Sequence, residues 1–404
     1  MSSRRRLKLI GVAGLIAVLL SSLTMGAFAE DSETGDPGDP VVQGEEEARE
    51  HDAGMYAETF DVDLDTAKHN LELQHLAGEL QATLLERESE TYAGQFQDHG
   101  TDYTLVVQFT DGDAARVEPY LGDSRLSEVI DVQQADYSVQ ELREKHQALI
   151  DMMDDVDIDY VSGTSMRQNH IELSVTDQQH LETTLAQAGY QIPDIIEITE
   201  VDSLETDLMI DPNLARDSNE QSSSQPAPES HGGYTIGGRT LEANSSPWCT
   251  VGFPIEQSNG TSGFLSAGHC QYGYYTSWSM NGVATPLANE VWTGAFDVQW
   301  HETPHHAVHN QVMVSYNPYE VRTISSVKYW SEQQEDDWVC VFGRTMQHQR
   351  CGLIADLYHN PGGNNNCDCF VRVSDPGGGN LAGGGDSGGP WYKDNEAWGG
   401  TRTQ

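Results

Sequence analysis

The residues in this 404-residue chain best arranged for chemistry are Gly385-Asp386-Ser387-Gly388-Gly389-Pro390, a serine set among glycines. Glycine lets backbone N–H groups approach a reacting carbonyl without side-chain hindrance, so Ser387 could act as a nucleophile beside amides that hold a developing oxyanion. A serine hydroxyl needs a base, and the base needs a carboxylate to orient it. Chain order narrows the choice of partners. The segment fits Gly-x-Ser-x-Gly, but an α/β-hydrolase places its carboxylate and His after the nucleophile, and no His follows Ser387. The order Asp, His, Ser fails as well, because no Asp lies between His231 and Gly268. His, then Asp, then Ser remains for a triad confined to this part of the chain.

Ser266-Ala267-Gly268-His269-Cys270 supplies the base, His269, and Cys270 could fasten its loop to Cys249 in the neighbouring strand-like Trp248-to-Phe253 run. For the carboxylate, Asp297 lies in the apolar stretch Val291-to-Trp300, where burial demands a compensating partner that His269 can provide. Asp356, in a strand-like run, is the weaker rival. Asp336 and Asp337 end a polar run from Ser331 and read as solvated.

Ser266-to-Cys270 together with Gly385-to-Pro390 resembles the chymotrypsin-like bacterial peptidases of the streptogrisin and α-lytic protease type. Thr235-Ile236-Gly237-Gly238 followed by Cys249-to-Phe253 is similar to the start of their mature enzymes, and Val339-Cys340 through Cys351-Gly352 looks like their second disulfide loop. The Leu-rich segment before Arg87, Thr91-to-Gly94 and Tyr103-to-Phe109 resemble their propeptide. The resemblance implies an all-β double β-barrel (chymotrypsin-like) protease domain preceded by an α+β propeptide that acts as folding chaperone and inhibitor. It implies a serine endopeptidase with His269, Asp297 and Ser387 as catalytic residues, the N–H groups of Gly385 and Ser387 as oxyanion hole, and disulfides among Cys249, Cys270, Cys340 and Cys351. By offset from Ser387, Leu381 falls at the pocket floor, which argues against a Lys or Arg preference and for an apolar or mid-sized one. Neither cofactor nor metal is called for, and the expected partners are peptide substrates and the chain's own propeptide, in a monomer.

Positioning these residues requires a folded scaffold, and the chain is long enough for two domains. Arg4, Arg5, Arg6 and Lys8, an apolar run from Leu9 to Leu20 and Ala27-Phe28-Ala29 read as a signal peptide over 1–29, so a secreted protein is expected, free of the membrane once the signal is removed. The six cysteines all follow residue 248, which fits disulfides in the second domain only. Between Glu30 and Ser230 there are 48 acidic and 9 basic residues, against 16 and 8 from His231 onward. That field repels phosphate backbones and excludes nucleic acid as a partner, and reads as a solvated surface.

Residues 30–50 carry no apolar period and read as a flexible leader. Leu73, Leu76, Leu80 and Leu84 recur at helical spacing. Tyr103-to-Phe109 reads as a strand running into a tight reversal at Asp111-Gly112, and Ser138-to-Glu141 is a capping box opening a helix over 139–152. With strands near 129–134, 156–161, 170–175 and 194–199 and a helix over 177–188 ending at Gly189, the order is β-α-β-β-α-β. The propeptide spans 30–210, a Ser/Pro/Gln-rich linker with a processing site 211–232, and the protease domain, rich in short β-prone runs, 233–404.

Other features compete for attention. His301-Glu302-Thr303-Pro304-His305 matches the zinc motif H-E-x-x-H, but Pro304 would break the helix on which the two His must share a face. Cys367 and Cys369, two apart on an expected strand, rarely bridge each other, so one lacks an evident partner. Gln404 comes 17 residues after Ser387, which reads as a chain short of the strands that wall the pocket in the family. The alternatives are a catalytically inactive secreted binding protein on the same fold and a stably inhibited zymogen.

Overall fold

The computed structural model describes residues 40–122, 125–204, 234–271, 275–362 and 366–402. The signal segment and the 211–232 linker lie outside them. Among the described residues, no helix is long and apolar enough to cross a membrane.

The N-terminal region opens with strand Val41–Gln43 and helix Glu45–Phe60, where a flexible leader to residue 50 was expected. The helix starts because Glu47 reaches back to accept from the Gly44 N–H at 2.7 Å and three glutamates complement the exposed N–H groups of its first turn. It escapes a periodicity reading because its buried face is Ala48, Asp52, Ala53 and Tyr56 rather than a leucine stripe. Helix Leu64–Arg87 does carry that stripe. Asp63 caps it by accepting from Thr66 N–H at 2.9 Å, and Leu73, Leu80 and Leu84 are buried, each worth about 1.5–3 kcal/mol when fully removed from water.

The expected element order β-α-β-β-α-β runs from Ile130–Gln134 to Ile196–Glu200, and with the hairpin that precedes it the strands form two three-stranded sheets. In each sheet a hairpin, Tyr92–Asp98 with Thr104–Phe109 or Val161–Ser165 with His170–Val175, takes a third strand in parallel, Ile130–Gln134 or Ile196–Glu200. Asp111-Gly112 therefore turns the chain into a crossover, not a hairpin, because the antiparallel partner of Thr104–Phe109 precedes it. The second hairpin begins at Val161, later than expected, since Asp157 takes a left-handed turn (φ 52°) in an acidic stretch. The capping box at Ser138 forms as read, with Ser138 N–H donating to Glu141 at 2.9 Å, and opens helix Val139–Asp154. Helix Gln178–Ala188 ends at Gly189, whose φ of 86° suits a residue without Cβ.

From Tyr234 onward the described chain is strands, turns and short 3-10 pieces. The strands make four sheets, and none closes into the barrel that was expected. One contains Ser246–Thr250 and Thr240–Ala243, the next Pro254–Glu256, Ser262–Ser266, Phe296–Glu302 and Leu287–Thr293, the third Tyr234–Gly237, Ala307–Ser315 and Glu320–Thr323. The fourth, six strands wide, includes Glu396–Gly400, Pro390–Lys393, Trp338–Val341, Arg350–His359 and Phe370–Ser374.

The N-terminal region packs on that sheet through buried amides. Gln74 Nε2 donates to the Trp338 carbonyl at 3.2 Å while its Oε1 accepts from Trp338 N–H at 3.0 Å, and Gln97 Nε2 donates to Asp337 at 2.7 Å. Asp337 is thus fully buried, not solvated, and burial pushes its carboxyl up to about 6; Asp336 pairs with Arg167 at 2.8 Å. The polar run from Ser331 looks solvent-facing only when its covering partner, far away in sequence, is ignored. Asp356, the rival carboxylate, is also used here, accepting from Thr164 N–H at 3.2 Å and from His359 Nδ1 at 3.2 Å. Ser162 and Asn360 exchange backbone hydrogen bonds of 3.1 and 2.7 Å, joining the hairpin of the N-terminal region to strand Arg350–His359.

At the other end, strand Val41–Gln43 pairs in parallel with Glu320–Arg322, and Asp52 meets Arg322 in a fully buried bidentate pair of 2.7 and 2.9 Å. Burial alone would raise the Asp52 carboxyl, but the Arg322 charge and the hydrogen bonds override it and hold the group well below the usual carboxylate range. Arg322→Met leaves that carboxylate buried without its cation, and the expected loss of unfolding free energy is about 3–5 kcal/mol by urea denaturation. A double variant that also replaces Asp52 by Ala should be less destabilised than the single one.

Candidate active site

The turn Gly268–Cys270 follows strand Ser262–Ser266 and nests against the hairpin Leu287–Thr293 and Phe296–Glu302. Only glycine fits at 268, because a Cβ there would lie 2.6 Å from the Val291 carbonyl and 2.8 Å from Val298 N. This close approach brings His269 onto Asp297, the second residue of the hairpin's return strand. Asp297 Oδ1 accepts from the His269 backbone N–H at 2.8 Å and Oδ2 from His269 Nδ1 at 2.7 Å. Burial works to raise the Asp297 carboxyl, but these hydrogen bonds and the charges of His269 and Arg402 outweigh it and lower it.

On the far side of the imidazole, Ser387 Oγ lies 2.9 Å from Nε2. With Nδ1 carrying the proton given to Asp297, Nε2 accepts from the hydroxyl. Ser387 is buried, and its backbone is fixed by strand Ser246–Thr250: Thr250 N–H donates to the Ser387 carbonyl at 2.8 Å and Thr250 Oγ1 to the Gly385 carbonyl at 2.8 Å. The same strand reaches the base, since Cys249 is disulfide-bonded to Cys270 and Trp248 Nε1 donates to the Cys270 carbonyl at 2.9 Å. Inside the loop the Asp386 carboxylate accepts from Gly383 N–H at 2.9 Å and Thr345 N–H at 2.6 Å, and burial raises its carboxyl. Gly385 has φ 97°, and a Cβ on it would lie 2.3 Å from the Arg344 guanidinium.

The residues singled out by chain order, His269, Asp297 and Ser387, therefore meet, while Asp336, Asp337 and Asp356 are committed elsewhere. Cys340 is joined to Cys351. Cys367 is joined to Cys369, against expectation; the two lie on a bend before strand Phe370–Ser374, not on a strand. His301 and His305 do not share a helix: His301 sits buried in strand Phe296–Glu302, stacked on Phe264, with Nδ1 donating to the Thr285 carbonyl at 2.9 Å, and burial lowers it to about 4. Leu381 is buried and lines a cavity of about 500 Å³ with Ala382, Phe370 and Trp398, into which Val201 and Leu204 of the N-terminal region also project. Arg402, whose Nε lies 3.3 Å from Asp297 Oδ2, was not found from the sequence, where nothing local marks it.

No family model and no curated protein matches the chain. Among solved structures, 41% of the chain aligns with 80% of Thermobifida fusca protease A at 23% identity and a TM-score of 0.30. Similar values hold for a Nocardiopsis protease, with 41% of this chain, 81% of that one, 25% identity and a TM-score of 0.31. An α-lytic protease homologue, N4, matches 42% of the chain over 85% of its own length at 18% identity and a TM-score of 0.34. The chemistry is read from the side chains themselves.

The tightest point of the loop is Gly388, at φ 88°, where a Cβ would meet Ser266 Oγ at 2.2 Å and the Thr250 carbonyl at 2.4 Å. Gly388→Ala is expected to lower the unfolding free energy by about 2–4 kcal/mol, through strain and overpacking together. Gly384→Ala, whose Cβ meets nothing within 4 Å, should change it by less than about 0.5 kcal/mol in the same urea titration.

Proposed function

We propose that the chain is the precursor of a secreted serine endopeptidase that hydrolyses peptide bonds through Ser387, His269 and Asp297. The observation that carries this reading is the continuous relay Ser387 Oγ to His269 Nε2 to Asp297, at 2.9 and 2.7 Å. As Oγ bonds to the peptide carbonyl carbon, its proton passes to Nε2, and Asp297 stabilises the imidazolium that results. The carbonyl oxygen gathers negative charge that the N–H groups of Gly385 and Ser387 hold, each donor worth roughly 10²–10³ in rate. The C–N bond then breaks as His269 returns the proton to the leaving amine. Water, deprotonated by His269, releases the acyl group from Ser387.

Leu381, Phe370 and Trp398 on one wall of the cavity suit an apolar side chain before the scissile bond, although Arg372, Arg402 and Glu172 also line it. Residues 30–210 act as a propeptide that templates folding and then covers the site; the projection of Val201 and Leu204 into that cavity and the buried amide contacts on Trp338 and Asp337 support this role. Cleavage within 211–232 releases the domain from 233 onward, and the disulfides fit export to an oxidising compartment.

The test is phenylmethylsulfonyl fluoride labelling of secreted wild-type and Ser387→Ala protein, with intact mass and N-terminal sequencing. Label on Ser387 in a fragment beginning near Tyr234, absent from the variant, is expected. A folded, processed fragment beginning near Tyr234 that takes no label contradicts the hydrolase and favours an inactive binding protein.

A further inference from the structure

Arg402 follows strand Glu396–Gly400, and the residue before it is tied into the nucleophile loop. Gly388 N–H donates to the Thr401 carbonyl at 2.6 Å, and Thr401 N–H and Oγ1 donate to the Gly389 carbonyl at 2.7 and 2.8 Å. The backbone that carries Arg402 is thus in fixed register with Ser387. Its side chain is only 11% exposed and runs beneath the Phe370 ring, whose centre is 5.2 Å from the guanidinium carbon. Nε stands 3.3 Å from Asp297 Oδ2, the oxygen that accepts from His269 Nδ1. The contact is an ion pair by distance without the alignment of a hydrogen bond, so Arg402 acts on Asp297 through its charge.

We propose that Arg402 is a positioning residue of the triad, a buried cation that keeps Asp297 ionised and turned toward His269; this rests on the hydrolase reading above. A guanidinium is retained at such a depth only beside a compensating anion, and Asp297 is the anion it meets. The titratable groups facing Asp297 are His269, from the turn Gly268–Cys270, and Arg402, from the segment after Glu396–Gly400. Both favour the carboxylate against the burial that opposes it. A carboxylate held in this way loses its charge only at low pH. Without Arg402 it would take up a proton at higher pH, and the His269 ring would lose the acceptor that fixes its tautomer.

Two readouts test this, one on the full chain and one on the processed protein. In a Ser387→Ala background with 13C-labelled aspartate, the Asp297 carboxyl resonance, assigned by its loss in Asp297→Asn, should titrate at higher pH in Arg402→Met and return in Arg402→Lys. In the secreted, processed protein with Ser387 intact, the ratio of phenylmethylsulfonyl fluoride labelling rates at pH 6 and pH 8 should fall about 3–10-fold in Arg402→Met and recover in Arg402→Lys. An unmoved carboxyl titration and an unchanged rate ratio overturn the proposal. If the processed wild-type protein takes no label, the hydrolase reading fails, while the carboxyl titration still decides whether Arg402 governs Asp297. Should Arg402→Met not fold, Arg402→Gln, of similar length and uncharged, must give the same upward shift; a titration matching wild type counts against the proposal.

Discussion

Strand Ser246–Thr250 is the constraint on which the site depends, because it ties together the backbones that carry His269 and Ser387. Cys249 holds Cys270, the neighbour of His269, by a covalent bond, and the next residue, Thr250, holds the backbone of Ser387 and Gly385 by two hydrogen bonds. Side chains on successive strand residues point to opposite faces, so Cys249 and Thr250 reach in two directions from one place. The 2.9 Å contact between Ser387 and His269 spans 118 positions in sequence, and it is bridged by a single strand that touches both. Asp297 enters from a third side, on a hairpin that the absence of a Cβ at Gly268 allows to close on the His269 turn.

Around this centre, burial is matched by partners at each charged group the chemistry needs. Asp297 is ringed by His269 and Arg402, and Asp386 by two backbone N–H groups. The covering of the C-terminal sheet by the N-terminal region follows another rule: it relies on glutamine amides more than on ion pairs. Amides carry both donor and acceptor, so Gln74 can satisfy the N–H and the carbonyl of Trp338 together without placing a net charge in the interface. The buried carboxylates of the same interface are met by N–H donors of the N-terminal region: Asp337 by the Gln97 amide, Glu335 by Met166 and Arg167 N–H, and Asp356 by Thr164 N–H.

What could be read in the sequence was what is encoded locally. The glycines about Ser387, the Gly268-His269-Cys270 turn, the capping box at Ser138 and the leucine spacing of helix Leu64–Arg87 all state their structure within a few residues. Chain order then left His, Asp, Ser as the order of a triad, and the apolar setting of Asp297 favoured it over Asp336, Asp337 and Asp356. What escaped depends on pairs far apart. Helix Glu45–Phe60 looked like a leader because Asp52 acquires its reason only from Arg322, and the run from Ser331 to Asp337 looked solvated because Gln74 and Gln97 cover it. Arg402 offered no local signal at all. The division of the strands into two sheets was not legible either, because a parallel pairing such as Thr104–Phe109 with Ile130–Gln134 leaves no mark at the turn between them.

On the proposed mechanism Ser387 forms a covalent acyl intermediate with the help of His269. Rapid mixing of the processed protein with excess p-nitrophenyl acetate measures this directly. A burst of one nitrophenol per protein molecule before slower turnover, lost in Ser387→Ala and in His269→Ala, is the predicted result. A linear trace with no burst, joined to the absence of an acetyl adduct on Ser387 in the quenched protein, would contradict the account.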